Sequence, residues 1–303
     1  MGSCSSSERN FREGPMIVSD KRFFSKFFNL EVNPFGETPD PDFYYASLQH
    51  NRAISQLDAA LRQGKGFSLL TGEVGTGKTL LSRLILSAVS PYANTALLLY
   101  PKFTEIELLQ AISEEFEVPA PNGPLTTAKA HVDHLNCFLL ASAQTGRRSI
   151  LMIDEAQSLG FEALESIRLL TNLETKTQKL LQVVLIAQPE LNETLDLPEL
   201  RQLKQRVGIH AKIEGLDVIE VERYIKTRIE VVGNGNFIRF DSSAVKLIHS
   251  LTLGIPRRIN QVCGNIIMHA ESKRVRLITS SLCKEALEIK PRNLFSILTR
   301  KER

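Results

Sequence analysis

Residues Gly72 to Thr79 read Gly-Glu-Val-Gly-Thr-Gly-Lys-Thr, a complete GxxxxGK[ST] pattern. Glycines at this spacing let the chain turn so tightly that successive backbone N–H groups face one anion. A helix starting at the end of the turn adds the positive end of its dipole. Lys78 is then placed to reach terminal phosphates, and the Thr79 hydroxyl to ligate magnesium. Gly72, Glu73, Val74, Gly75, Thr76, Gly77, Lys78, Thr79 and Leu80 are therefore the expected phosphate cradle. A chance match is the bland alternative. The context weighs against it, since the apolar run 66–71 enters the motif as a strand and an apolar helix from Lys78 to Val89 leaves it.

The second constellation is Ser149-Ile-Leu-Met-Ile-Asp154-Glu155, an apolar strand ending in two acids. Carboxylates at the C-terminal end of a parallel strand face the crevice where ligands bind. Asp154 is expected to hold the magnesium-bound water shell, and Glu155 to orient and polarise the water that attacks the γ-phosphate. Taken alone, the two acids could equally begin a polar turn. About 75 residues after a phosphate cradle, they read as its hydrolytic partner. A nucleoside kinase or a GTPase needs no base beside the magnesium aspartate, and no Asn-Lys-x-Asp guanine-reading motif occurs. Adenine and hydrolysis follow, with ATP and Mg2+ as the ligands.

Three weaker signals come later. Gln188 ends the apolar run 183–187 with an amide able to sense the γ-phosphate or the attacking water, although a polar strand end is unremarkable by itself. Residues 200–206 carry Arg201, Lys204 and Arg206. A guanidinium lent to a neighbour's γ-phosphate stabilises phosphoryl transfer, whereas an isolated cationic run is ordinarily a solvated helix face. Arg257 and Arg258 open a helix after Gly254-Ile-Pro256, at the end where the macrodipole disfavours cations. An anion from elsewhere in the molecule would explain them.

These residues need a frame. Apolar strands at 66–71, 96–99, 149–153, 181–187 and near 210–213 alternate with helices at 50–62, 78–89, 105–116, 126–144 and 162–172. That alternation predicts a parallel sheet covered on both faces, a three-layer α/β architecture. Beyond Gly215 strands fade, and helices at 217–232, 242–253, 257–271 and 280–288 predict a small all-helical lid. The expected organisation is a disordered tail (1–22), an N-terminal arm (23–49), the nucleotide-binding domain (50–214), the helical lid (215–290) and a basic tail (291–303). The arm is rich in Phe and Pro, which predicts an irregular segment packed on the domain that follows it.

Composition sets outer limits. The chain has 303 residues, 43% hydrophobic and 23% charged, which suits a soluble protein of two domains. No apolar run is long enough for a membrane span, so a cytoplasmic protein is expected, reaching the inner membrane only through a partner. Four scattered cysteines argue against a disulfide framework, and His131 with His134 lacks further ligands for a metal. Net charge is +3, but the segment from Arg257 onward holds eleven Lys and Arg against four Glu. That is either a surface for phosphates or a solvated basic end. The first residues also fit an acylation pattern through Gly2, Cys4 and Ser6, with a start at Met16 the simpler reading.

Taken in order, these elements resemble the AAA+ ATPases, and within them the ExeA-like group linked to general secretion and type IV pilus assembly. The resemblance runs from about Phe27 to Leu287 and rests on Asn33-Pro-Phe35, Thr38-Pro-Asp-Pro41, the cradle and residues 153–159, 168–175, 179–191, 200–206 and 254–260. It implies ATP hydrolysis in an oligomer, with Gln188 as first sensor, Arg206 as the arginine finger given to the adjacent subunit and Arg257 as second sensor. It also places the arm and the helix of His50 near the adenine. Ala187 departs from the group, where glycine is commoner. The implied role is assembly of a secretion or pilus machine with an envelope partner. A DNA-associated ATPase regulating transposition and an ATPase of exopolysaccharide or protein-sorting clusters stay open.

Overall fold

The computed structural model describes residues 24–25, 27–36, 41–99, 101–121, 123–233 and 238–289. The N-terminal tail with its acylation pattern, residues 38–40 of the arm and the basic tail from 291 lie outside the described residues.

Helix α1 (Leu48–Arg62) precedes β1 (Phe67–Gly72), α2 (Lys78–Val89), β2 (Ala93–Leu98), α3 (Glu105–Glu115), α4 (Ala128–Gln144) and β3 (Arg148–Ile153). Then follow α5 (Phe161–Leu170), β4 (Leu181–Ala187), α6 (Glu190–Leu195), α7 (Arg201–Lys204) and β5 (Ile209–Ile213). The five strands pair in parallel in the order β2-β3-β4-β1-β5.

Side chains alternate across a strand, and the two faces bury separate cores. Leu69, Leu151, Ile153, Val183 and Leu185 pack with Leu108 and Ile112 of α3, Leu135 of α4 and Leu164 of α5. Leu70, Ile150, Met152, Val184 and Ile186 pack on the other side with Leu57 and Leu61 of α1 and Leu81 and Ile85 of α2. Central strands β1 and β4 are therefore buried throughout and β3 from Ser149 onward, while edge strand β5 exposes alternate residues. The three-layer architecture expected from the sequence is the one observed.

The lid comprises α8 (Val218–Val231), α9 (Ser242–Thr252), α10 (Pro256–Ser272) and α11 (Ser280–Ala286). It also contains a parallel pair, β6 (Arg239–Phe240) with β7 (Leu277–Ile278), so it is not all-helical. Two-residue strands leave no periodicity for a sequence reading to detect.

A larger correction concerns the arm, which packs into the lid rather than onto the domain that follows it. Phe28, Leu30 and Phe35 are buried in one cluster with Tyr224, Ile225, Ile259 and Ile266. Arg228 of α8 donates to the carbonyls of Pro34 at 2.5 Å and Gly36 at 3.0 Å, and lies over Phe43 at 4.3 Å. Both faces of the main sheet are already covered by their own helices, so the arm's aromatic rings complete the smaller core of the lid.

Candidate active site

The strand end Gly72 begins the cradle, and its crowding shows why glycine stands there. A Cβ at Gly72 would lie 2.6 Å from the Ile213 carbonyl oxygen. Gly75 (φ +84°) and Gly77 (φ +99°) adopt the left-handed conformation that other residues avoid. Thr76 folds back, its hydroxyl donating to the Glu73 carbonyl at 2.8 Å, and His50 of α1 meets the Thr76 carbonyl through Nε2 at 2.9 Å. Tyr44 stacks on His50 with ring centres 6.1 Å apart.

The first helical N–H groups of α2 are left without a side-chain cap, since Gly77 provides none. By contrast Ser47, Thr104, Thr127, Asp217, Asp241 and Thr279 cap the helices they precede. An uncapped N-terminus reached by a glycine turn is suited to an anion. Lys78 is buried, and its ammonium donates to the carbonyls of Gly72 at 2.7 Å and Glu73 at 3.0 Å. Burial lowers its pKa, while Glu155, Asp154 and Glu73 pull the other way.

At the end of β3, Asp154 is buried and accepts the Thr79 hydroxyl through Oδ2 at 2.6 Å. Its Oδ1 accepts the Glu155 backbone N–H at 2.9 Å. A hydroxyl and a carboxylate in contact are hard oxygen ligands of the kind magnesium takes. Glu155 sits at φ +52°, ψ +37°, a strained backbone for a non-glycine residue. Its Oε2 accepts from the Gln188 amide at 3.2 Å and from the Gln157 amide at 2.5 Å. Gln157 was not singled out from the sequence. Its pairing spans a turn and a neighbouring strand, which no local pattern announces.

The lid closes the cleft. The Arg257 backbone N–H donates to the Gly75 carbonyl at 3.2 Å, and the start of α10 likewise lacks a side-chain cap. Val74, Leu80, Arg257 and Asn260 line the same cleft as Lys78, Thr79 and Glu155, together with Tyr44, Tyr45, Tyr224 and Arg228. The Tyr224 hydroxyl donates to Asn260 Oδ1 at 2.8 Å. Arg206 is not among the cleft-lining residues. Its guanidinium donates to the Arg168 carbonyl at 3.1 Å and to Thr171 Oγ1 at 3.0 Å, at the end of α5.

His131 and His134 are each engaged by backbone carbonyls, of Leu125 and Pro119, and no metal-holding group occurs among the described residues. Burial raises the Cys263 and Cys283 thiols, the latter to about 12, which makes them poor nucleophiles at neutral pH. No helix among the described residues is long and apolar enough to cross a membrane.

A family model described as an AAA domain matches residues 61–195. General secretion pathway protein A of Aeromonas hydrophila is 42% identical over 247 residues, covering 82% of this chain and 45% of that protein. The chain thus spans less than half the length of this relative. Among solved structures, the ORC2 protein of Aeropyrum pernix matches with a TM-score of 0.60 at 15% identity, over 85% of this chain and 71% of that one. CDC6P of Pyrobaculum aerophilum gives 0.57 at 14%, over 83% and 71%. The Thermotoga maritima RUVB Holliday junction branch migration motor gives 0.51 at 17%, over 84% and 73%. At such identities the likeness is one of fold.

Proposed function

We propose that this chain, which matches an AAA domain over residues 61–195 and is similar to general secretion pathway protein A, hydrolyses ATP and couples the turnover to assembly of a bacterial secretion or type IV pilus machine. The observation that carries hydrolysis is the Thr79–Asp154 contact at 2.6 Å with Glu155 as the next residue. The uncapped start of α2 receives the phosphates, and Lys78 moves its ammonium from the loop carbonyls toward them. Thr79 and Asp154 would hold magnesium, which would neutralise phosphate charge when bound. Glu155 takes the proton of the attacking water, and Gln188 orients the γ-phosphate. Arg257 brings the lid to the phosphates. Arg206, anchored outside its own cleft, serves the site of an adjacent copy.

The test is phosphate release from ATP by the wild-type chain, with and without magnesium, beside Lys78→Ala and Thr79→Ala. Expected are turnover only with magnesium, no detectable ATP binding in Lys78→Ala, and a large loss of turnover in Thr79→Ala. Magnesium-independent turnover, or wild-type activity in Lys78→Ala, would overturn the reading.

The envelope reading is supported by the 42% identity to general secretion pathway protein A, and under it the protein works in the cytoplasm and reaches the inner membrane through a partner. A DNA-associated role is the second reading, drawn from the basic C-terminal segment. Several described cations of that segment are used internally. The Arg257 side chain lines the nucleotide cleft close enough to act on Lys78, Lys273 pairs with Glu285, and Arg276 lies over Phe27 at 5.3 Å. The envelope reading is therefore preferred.

A further inference from the structure

Gln157 lies in the short 3-10 turn Ala156–Ser158, between β3 and α5, and its side-chain amide is engaged at both ends. The oxygen accepts the Gln188 backbone N–H at 3.0 Å. A backbone N–H requires an acceptor, so this contact fixes the amide's orientation and turns its NH2 group toward Glu155. That group donates to Glu155 Oε2 at 2.5 Å, the same oxygen that receives the Gln188 amide at 3.2 Å. The result is a ring of hydrogen bonds through Gln157, Glu155 and Gln188, closed by the Gln188 backbone N–H, that joins the ends of β3 and β4. Gln188 cannot donate that amide hydrogen to a γ-phosphate while it is given to Glu155. When it turns to the phosphate, Glu155 loses one of two donors and keeps the other.

We propose that Gln157 is the positioning residue of the hydrolytic centre, holding the Glu155 carboxylate in place as Gln188 exchanges it for the γ-phosphate. The assignment rests on the reading of Glu155 as the base. Gln157 reaches the reaction only through Glu155 and Gln188, and it is not one of the residues lining the nucleotide cleft. The charged groups near the ring are Lys78, which feels the carboxylates of Glu155 and Asp154, and Arg257 beyond it.

Three variants of the full chain test this, each measured for ATP affinity and for turnover across pH. Gln157→Met keeps the side-chain length and removes both polar contacts. Its kcat should fall on the order of 10²-fold, as for a misplaced catalytic group, while ATP affinity changes by less than about threefold because the cradle is untouched. Gln157→Glu keeps an acceptor for the Gln188 N–H but sets a second carboxylate against Glu155. A carboxylate at 157 cannot donate to Glu155 Oε2 and repels it, so kcat should again fall on the order of 10²-fold with ATP affinity near wild type. A residue that merely fills the turn would accept this near-isosteric change with kcat unaltered. Wild-type kcat in either variant overturns the proposal, and Gln157→Glu decides if Gln157→Met does not fold. Glu155→Gln separates the two levels. If it retains turnover, the base assignment itself fails; if it is inactive while the Gln157 variants behave as wild type, only the positioning role is lost.

Discussion

At the scale of single residues, the contact between cradle and lid passes through Gly75. A Cβ there would come within 2.6 Å of the Arg257 Cβ, on a backbone already at φ +84°. Gly75→Ala must therefore both strain the loop, by about 1–3 kcal/mol, and push α10 away. Calorimetric titration should show ATP affinity reduced by about tenfold or more on the scale of that strain; unchanged affinity would mean that the lid can retreat without consequence. The cradle and the Asp154-Glu155 pair were legible in the sequence because their spacing and their strand-then-helix context are local. Gln157 and the anchoring of Thr76 by His50 were not, since both depend on which strand ends and helices meet in space.

At the scale of elements, the strands and helices followed from apolar periodicity, whereas the destination of the arm did not. A run of Phe and Pro shows that burial is needed without showing where. Only the packed structure reveals that Phe28 completes a core with α8 and α10. Phe28→Ala should cost about 3–5 kcal/mol, typical for a large buried ring. The loss should appear in thermal unfolding and in hydrogen exchange of α8 and α10, and exchange faster only in α1 or α2 would contradict the assignment. Edge strand β5 offers a pH test. His210 meets Thr71 Oγ1 at 2.8 Å, and burial, with Lys212 and Lys204 nearby, lowers its pKa below 6.5. The unfolded chain then takes up the proton first, so stability is lost as pH falls through 6.5 toward the lower folded value. His210→Gln should show a smaller loss between roughly pH 7.5 and 5.5 in chemical unfolding. Equal losses in the two proteins would exclude His210 as the cause.

At the scale of the whole molecule, a P-loop domain, an arm and a lid enclose one cleft, and Arg206 stands outside it. Arg206→Ala should bind ATP normally and fail to hydrolyse it. Mixed with Lys78→Ala in co-assembled oligomers, it should regain activity, because its intact cradle then meets a neighbour's arginine. No rescue in demonstrably mixed oligomers would count against a shared site. The same scale separates the envelope reading from the DNA reading. DNA binding through the basic segment should weaken steeply with salt and vanish near about 0.15 M. Tight ATP-dependent binding at that salt would favour the transposition reading instead.

If Glu155, held beside Asp154 at the end of β3, activates the water that cleaves ATP, its loss should stop the chemistry without loosening the nucleotide. The direct measurement is a single-turnover experiment with Glu155→Gln, following bound ATP and released phosphate in the same sample. Expected are ATP affinity close to wild type and a hydrolysis rate lower by about 10²–10⁴-fold, the usual contribution of a general base. Phosphate release at the wild-type rate from that variant would contradict it.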